Sequence, residues 1–201
     1  MLILVLSALA LAGGDGLYDP APPLDGAFVR FVATPGASGP IQVAGRGVGT
    51  LEAASVGPYV VAQEGERTLQ LGSRSTELNV LAGHFYTVVP AGDSLRVLED
   101  TANTNLAKAS LALYNLTERP ALALKTADGA LAVVQDVAPT AVGARAVNPI
   151  RVELGVFDGA TSVSALEPLS RAQGQSYAIF ALQDGDAVRT LVVQARTDTT
   201  R

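Results

Sequence analysis

Few side chains in this chain are suited to covalent chemistry, and their spacing works against it. The single histidine, His84, sits in Gly83-His84-Phe85-Tyr86, and there is no cysteine. Nucleophilic hydrolysis or acyl transfer requires a nucleophile, a base to take its proton and an acid to orient the base. His84 reads as a turn residue entering a strand, and its counterpart in the second half of the chain, Gln175, has no basic nitrogen. Gly-x-Ser-x-Gly is absent, and Gly92-Asp93-Ser94 falls in an expected hairpin turn with no Asp-x-x-His near the C-terminus. Gly45-Arg46-Gly47-Val48-Gly49 lacks the lysine and the following helix of a phosphate loop, so it reads as a loop or a bulged strand. With no thiolate and one imidazole, cysteine and multi-histidine metal sites are excluded. The acidic residues are scattered, which gives no reason to expect paired-carboxylate glycosidase chemistry. The expectation is a protein that is not an enzyme, with no cofactor and no metal.

Composition narrows the class further. The chain has 201 residues, 48% of them apolar and 16% charged, enough apolar material for packed cores rather than disorder. The net charge is −5, and no Lys or Arg precedes Arg30. Gripping phosphates requires a basic face, so nucleic acid is not an expected partner. The same balance opposes long-range attraction to any polyanion. Aromatic residues are 5% and Trp is absent, which argues against a broad ring-stacking sugar surface.

These side chains must be carried by strands. The chain opens with an apolar run, Leu2 to Leu11, followed by Ala12, Gly13, Gly14 and Asp15. Its length suits a secretory leader and is too short to span a bilayer, although the usual basic n-region is missing. Cleavage after Ala12 is the first choice, with a second register at Ala8 and Ala10. The alternative is a buried N-terminal element. No other stretch is long and apolar enough to span a membrane.

Beyond Gly13 the chain alternates in the period of half-buried strands, as in Arg67 to Leu71 and Ile150 to Val156. Gly92-Asp93, Asp128-Gly129, Asp158-Gly159 and Asp184-Gly185-Asp186 supply hairpin turns. The halves also repeat. Gly83 to Val89 aligns with Gly174 to Phe180, Gly92 to Leu98 with Gly185 to Leu191, and Phe28 to Val32 with Ser110 to Tyr114. The predicted fold is all-β, two tandem small β-sandwich domains after a cleaved signal peptide. The boundaries are a leader over 1–12, an N-terminal arm over 13–26, a first domain over 27–99, a polar linker over 100–107 and a second domain over 108–197.

Several stretches, in this order, resemble those of one protein family. Leu17-Tyr18-Asp19-Pro20 with Pro22, Pro23 and Phe28-Val29-Arg30 is similar to the start of the mature family proteins. Leu113-Tyr114-Asn115-Leu116-Thr117 and Leu122 to Gly129 are similar to the opening of their second domain, and Arg145-Ala146-Val147-Asn148-Pro149-Ile150 to the link into the next strand. These stretches resemble the AlgF family of alginate O-acetylation proteins, and the resemblance implies a periplasmic accessory factor for acetylating mannuronate residues, beside SGNH-like O-acetyltransferases and a membrane-bound O-acyltransferase that carry the chemistry. It transfers no catalytic residue.

Candidate partner-binding residues are Leu17, Tyr18, Asp19 and Pro20 of the arm, with Arg145 and Asn148. The arm would add to a partner's sheet edge or groove, or cover its own domain. Asn148-Pro149 would shape a rim or simply start a strand. A second reading is an alginate-binding module, which requires a cationic strip drawn from Arg30, Arg46, Arg67, Arg74 or Arg96. A third is an enzyme built around His84 or a carboxylate.

Overall fold

The computed structural model describes residues 25–149, 152–168, 173–195 and 197–198. The expected leader, and Leu17, Tyr18, Asp19 and Pro20 of the arm, lie outside the described residues. Every regular element among the described residues is a strand. The first domain comprises β1 (Gly26–Ala33), β2 (Gly39–Val43), β3 (Arg46–Leu51), β4 (Ser55–Val56), β5 (Tyr59–Gln63), β6 (Gly65–Leu71), β7 (Arg74–Val80), β8 (Phe85–Ala91) and β9 (Ser94–Asp100). The second comprises β10 (Ala109–Leu116), β11 (Leu122–Thr126), β12 (Ala132–Val137), β13 (Ala141–Val147), β14 (Leu154–Asp158), β15 (Thr161–Ala165), β16 (Ser176–Asp184) and β17 (Ala187–Gln194). A short β18 (Thr197–Asp198) returns to pair in parallel with β5.

Each domain is a sandwich of two sheets. In the first, β18-β5-β1-β8-β9 faces β3-β2-β6-β7, and in the second β13-β10-β16-β17 faces β12-β11-β14-β15. The strand orders become identical when β1, β2, β3, β5, β6, β7, β8 and β9 are exchanged for β10 to β17 in turn. The parallel pairs also correspond, with Phe28 opposite Phe85 on β1–β8 and Ser110 opposite Ser176 on β10–β16. That is the correspondence the sequence repeat predicts. The Gly-Asp and Asp-Gly turns fall in hairpins, where Gly92, Gly129, Gly159 and Gly185 take φ of +59°, +72°, +58° and +58°. The Gly45–Gly49 stretch opens a bulged strand, with a register shift between Ile41 and Gln42 opposite it.

Burial separates outer from inner sheets. On β7, an outer strand, exposure alternates along Arg74–Val80. On β1 and β16, central strands of the inner sheets, nearly every residue is covered. The cause is a third core. Ala27, Val29 and Phe31 point into the first sandwich, and Leu111, Leu113, Ile179 and Ala181 into the second. The opposite faces of the same strands meet each other through Val32, Val89 and Leu98 on one side and Tyr114, Ala178, Phe180 and Leu182 on the other. The molecule is thus a stack of four sheets. Covering a large apolar side chain contributes roughly 1.5–3 kcal/mol, so this seam is a substantial joint.

Candidate functional site

The seam also buries charge. Arg30 lies mid-strand in β1, between two residues that face the first core, so its side chain is delivered to the other face. It is only 3% exposed. Its Nε donates to Thr87 Oγ1 at 2.8 Å and its Nη2 to Tyr114 Oη at 2.8 Å. Asp100, the last residue of β9, accepts from three hydroxyls: Tyr59 at 2.6 Å, Thr87 at 2.6 Å and Tyr114 at 2.5 Å. Arg30 Nη2 stands 3.7 Å from Asp100 Oδ2. The guanidinium carbon lies 4.5 Å from the Tyr59 ring centroid, 5.0 Å from that of Phe180 and 5.3 Å from that of Tyr114.

Each polar group in this cluster has a defined role. Burial drives the Tyr59 and Tyr114 pKa values well above the ordinary tyrosine value, Arg30 opposes that shift and Asp100 adds to it. Both phenols therefore remain donors. The network crosses the seam, because Tyr114 belongs to the second domain and the other members to the first. It holds surfaces together rather than presenting a reactive group to solvent.

Two clefts flank it. One, of about 330 Å³, lies where the domains meet and is lined by Arg30, Val56, Gly57, Pro58, Tyr59, Val193 and Gln194. The other, of about 470 Å³, is lined by residues including His84, Phe85, Glu99, Asp100 and Thr101. His84 Nδ1 is 2.7 Å from Glu99 Oε1, with both side chains largely exposed at 42% and 61%. This is the base–acid half of a triad; among the described residues no hydrogen bond joins His84 to a Ser or Thr hydroxyl. Gly92-Asp93-Ser94 occupies the β8–β9 turn, and Ser94 Oγ donates to the Ala91 carbonyl. No three metal-ligating side chains converge among the described residues.

Arg145 lies exposed on β13, at the edge of its sheet, with Nη1 3.4 Å from the Val133 carbonyl oxygen. Asn148 follows the strand and is exposed. Both therefore lie at the β13 end of that sheet, beside β12 of the facing sheet. Arg30 is buried in the seam and does not contribute to an exposed cationic strip. Arg67 donates to the carbonyls of Gln63, Glu64 and Glu66, and Arg74 to that of Gly92. Sequence reasoning missed the Arg30–Tyr59–Thr87–Asp100–Tyr114 cluster. Its one visible signal was a charge inside the apolar run Phe28-Val29-Arg30-Phe31-Val32, an arrangement that requires a buried partner.

Fold and seam together define a duplicated β-sandwich protein, with no helix among the described residues, whose buried polar residues join its halves. The chain belongs to the AlgF family of alginate biosynthesis proteins: the family model described as "Alginate O-acetyl transferase AlgF" matches residues 1–178. The alginate biosynthesis protein AlgF of Azotobacter vinelandii is 33% identical over 175 residues, covering 84% of this chain and 78% of that protein. Its counterpart in Pseudomonas aeruginosa is 32% identical over 187 residues, covering 92% and 86%. Among solved structures, the C-terminal domain of P. aeruginosa AlgF matches at 38% identity and TM-score 0.41, over 44% of this chain and 98% of that domain. The N-terminal domain matches at 18% and 0.36, over 40% and 100%.

Proposed function

We propose that this protein is a non-catalytic adaptor of alginate O-acetylation, exported to the periplasm, which holds acetyltransferases in register for acetylation of mannuronate residues. The observation that carries this reading is the seam. Two sandwiches joined by an apolar core and a shared polar network present their outer surfaces and edges at a fixed spacing, as a bridge between partners requires. The partners in this reading are SGNH-like O-acetyltransferases and the membrane-bound O-acyltransferase of the same system. The β13 edge carrying Arg145, with Asn148 just beyond it, is the surface we assign to an extended partner segment, because a terminal strand offers backbone groups for pairing.

The test is calorimetry of the mature protein with the soluble SGNH-like acetyltransferase, and separately with mannuronate oligosaccharides at two salt concentrations. Saturable binding to the enzyme, weakened by Arg145→Glu, is the expected result. Salt-sensitive binding to the unmodified sugar alone would overturn it in favour of a substrate-presenting module. His84→Ala is expected to leave acetylation of the polymer unchanged in cells, and loss of acetylation with normal protein levels would revive the enzyme reading.

A further inference from the structure

The cleft between the domains contains a donor that the seam network does not use. Nε and Nη2 lie along one edge of the Arg30 guanidinium, and that edge serves Thr87 and Tyr114. Nη1 therefore points the opposite way. It makes no hydrogen bond among the described residues, and it is not sealed from solvent. Arg30 lines the cleft together with Val56 to Tyr59 from one domain and Val193 and Gln194 from the other. Nη1 is open to water at the cleft that Arg30 lines, so an acceptor bound there would take the place of that water.

The character of that acceptor follows from the surroundings. The Arg30 charge is already balanced by Asp100 at 3.7 Å and shared with three ring faces. The cleft thus offers a hydrogen bond with little net field, on a molecule of net charge −5. A neutral carbonyl oxygen suits it better than a free anion. The remaining walls, Val56, Pro58 and Val193, are apolar and suit a methyl group, while the Gln194 side chain stands at the rim as a polar group. The volume, about 330 Å³, is at the small end for ligand pockets.

We infer that this cleft is a subsite for the carbonyl of a short acyl ester, the acetyl group of an O-acetylated sugar, with Arg30 Nη1 as the donor. The choice of acetyl rests on the O-acetylation reading above. The site binds the modified sugar and transfers nothing.

The test is a nitrogen-detected NMR titration of the mature protein, following Arg30 Nε–H, the Gln194 side-chain amide and the Val193 amide. The probes are an O-acetylated methyl mannoside, the same glycoside without its acetyl groups, and sodium acetate. Saturable shifts with the acetylated glycoside, about tenfold weaker without the ester, are expected, since one hydrogen bond and a buried methyl separate the two. Gln194→Trp and Pro58→Trp, which fill the mouth without touching the network, should abolish them. Equal response to the bare glycoside, a stronger response to acetate, or no response overturns the proposal. Titrating the acetyltransferase into the same samples separates the two readings. Enzyme binding without a sugar response leaves the adaptor and removes the subsite, and the reverse outcome removes the adaptor.

Discussion

Asp100 accepts hydrogen bonds from three hydroxyls in a site from which water is largely excluded, so removing its cation should be more harmful than removing one donor. Arg30→Met leaves a buried carboxylate without its counter-ion and should cost roughly 3–5 kcal/mol. Tyr114→Phe keeps the ring in place but removes one bond to each of Arg30 and Asp100, a loss of about 1–3 kcal/mol. Denaturant unfolding of the two variants checks the order, and the ranking would fail if Tyr114→Phe were the worse. The phenols make a second prediction. Because folding raises the Tyr59 and Tyr114 pKa values, their contribution is fully present below about pH 10, the value for an unfolded tyrosine. It is lost as pH rises above that value, since the unfolded chain then releases protons that the folded one retains. An absorbance titration should show these two tyrosines ionising only as the protein unfolds, and replacing both with Phe should remove that delay.

Among the strands, the alternating segments read as half-buried strands, and they fall on β6 and β14 of the outer sheets. Alternation in β6 and around β14 correctly placed Leu69, Leu71, Leu154 and Val156 inside. The continuous apolar runs around Phe31 and Ile179 gave strands, but not the reason for their continuity, which is cover on both faces. That cover comes from the other domain, and no local period encodes it. Of the predicted strand from Ile150, Ile150 and Arg151 lie outside the described residues, and β14 begins at Leu154, with Val152 packed against the core ahead of it. Asp100 read as the start of a polar linker because its hydrogen-bond partners lie on β5, β8 and β10, far away in the chain. Close approach is equally invisible from sequence. On β13, a Cβ added at Gly143 would stand 2.7 Å from Val134 Cγ1 and 3.1 Å from Val137 Cγ2, so β12 crowds the strand there. Gly143→Val should therefore destabilise the second domain by about 1–3 kcal/mol, read as a lower thermal midpoint, and an unchanged midpoint would mean that β12 yields freely.

At the scale of the whole molecule, the seam makes the two sandwiches one cooperative unit. Calorimetric melting is expected as a single transition, and Phe180→Ala, which should weaken the seam by about 3–5 kcal/mol, is expected to split it into two. Two transitions in the unaltered protein would show the domains to be independent. The repeat carries one further consequence. Arg30 pairs across β1–β8 with Thr87, and the corresponding positions on β10–β16 are Ala112 and Ala178. Opposite Phe85 stands Asp100, and at the matching place after β17 the Ala195 amide bonds to the Ser176 carbonyl. The charged half of the lock is thus present in one copy and replaced by alanine in the other. Duplicated domains risk pairing with the wrong copy, in a neighbouring chain as well as in their own. Two first domains brought face to face would confront guanidinium with guanidinium and carboxylate with carboxylate, without the Tyr114 hydroxyl that links them. Two second domains would bring two Tyr114 hydroxyls together with neither the guanidinium nor the carboxylate that they serve. The divergence of the two repeats at these few positions therefore acts as an address, directing each half to its own partner and away from its twin.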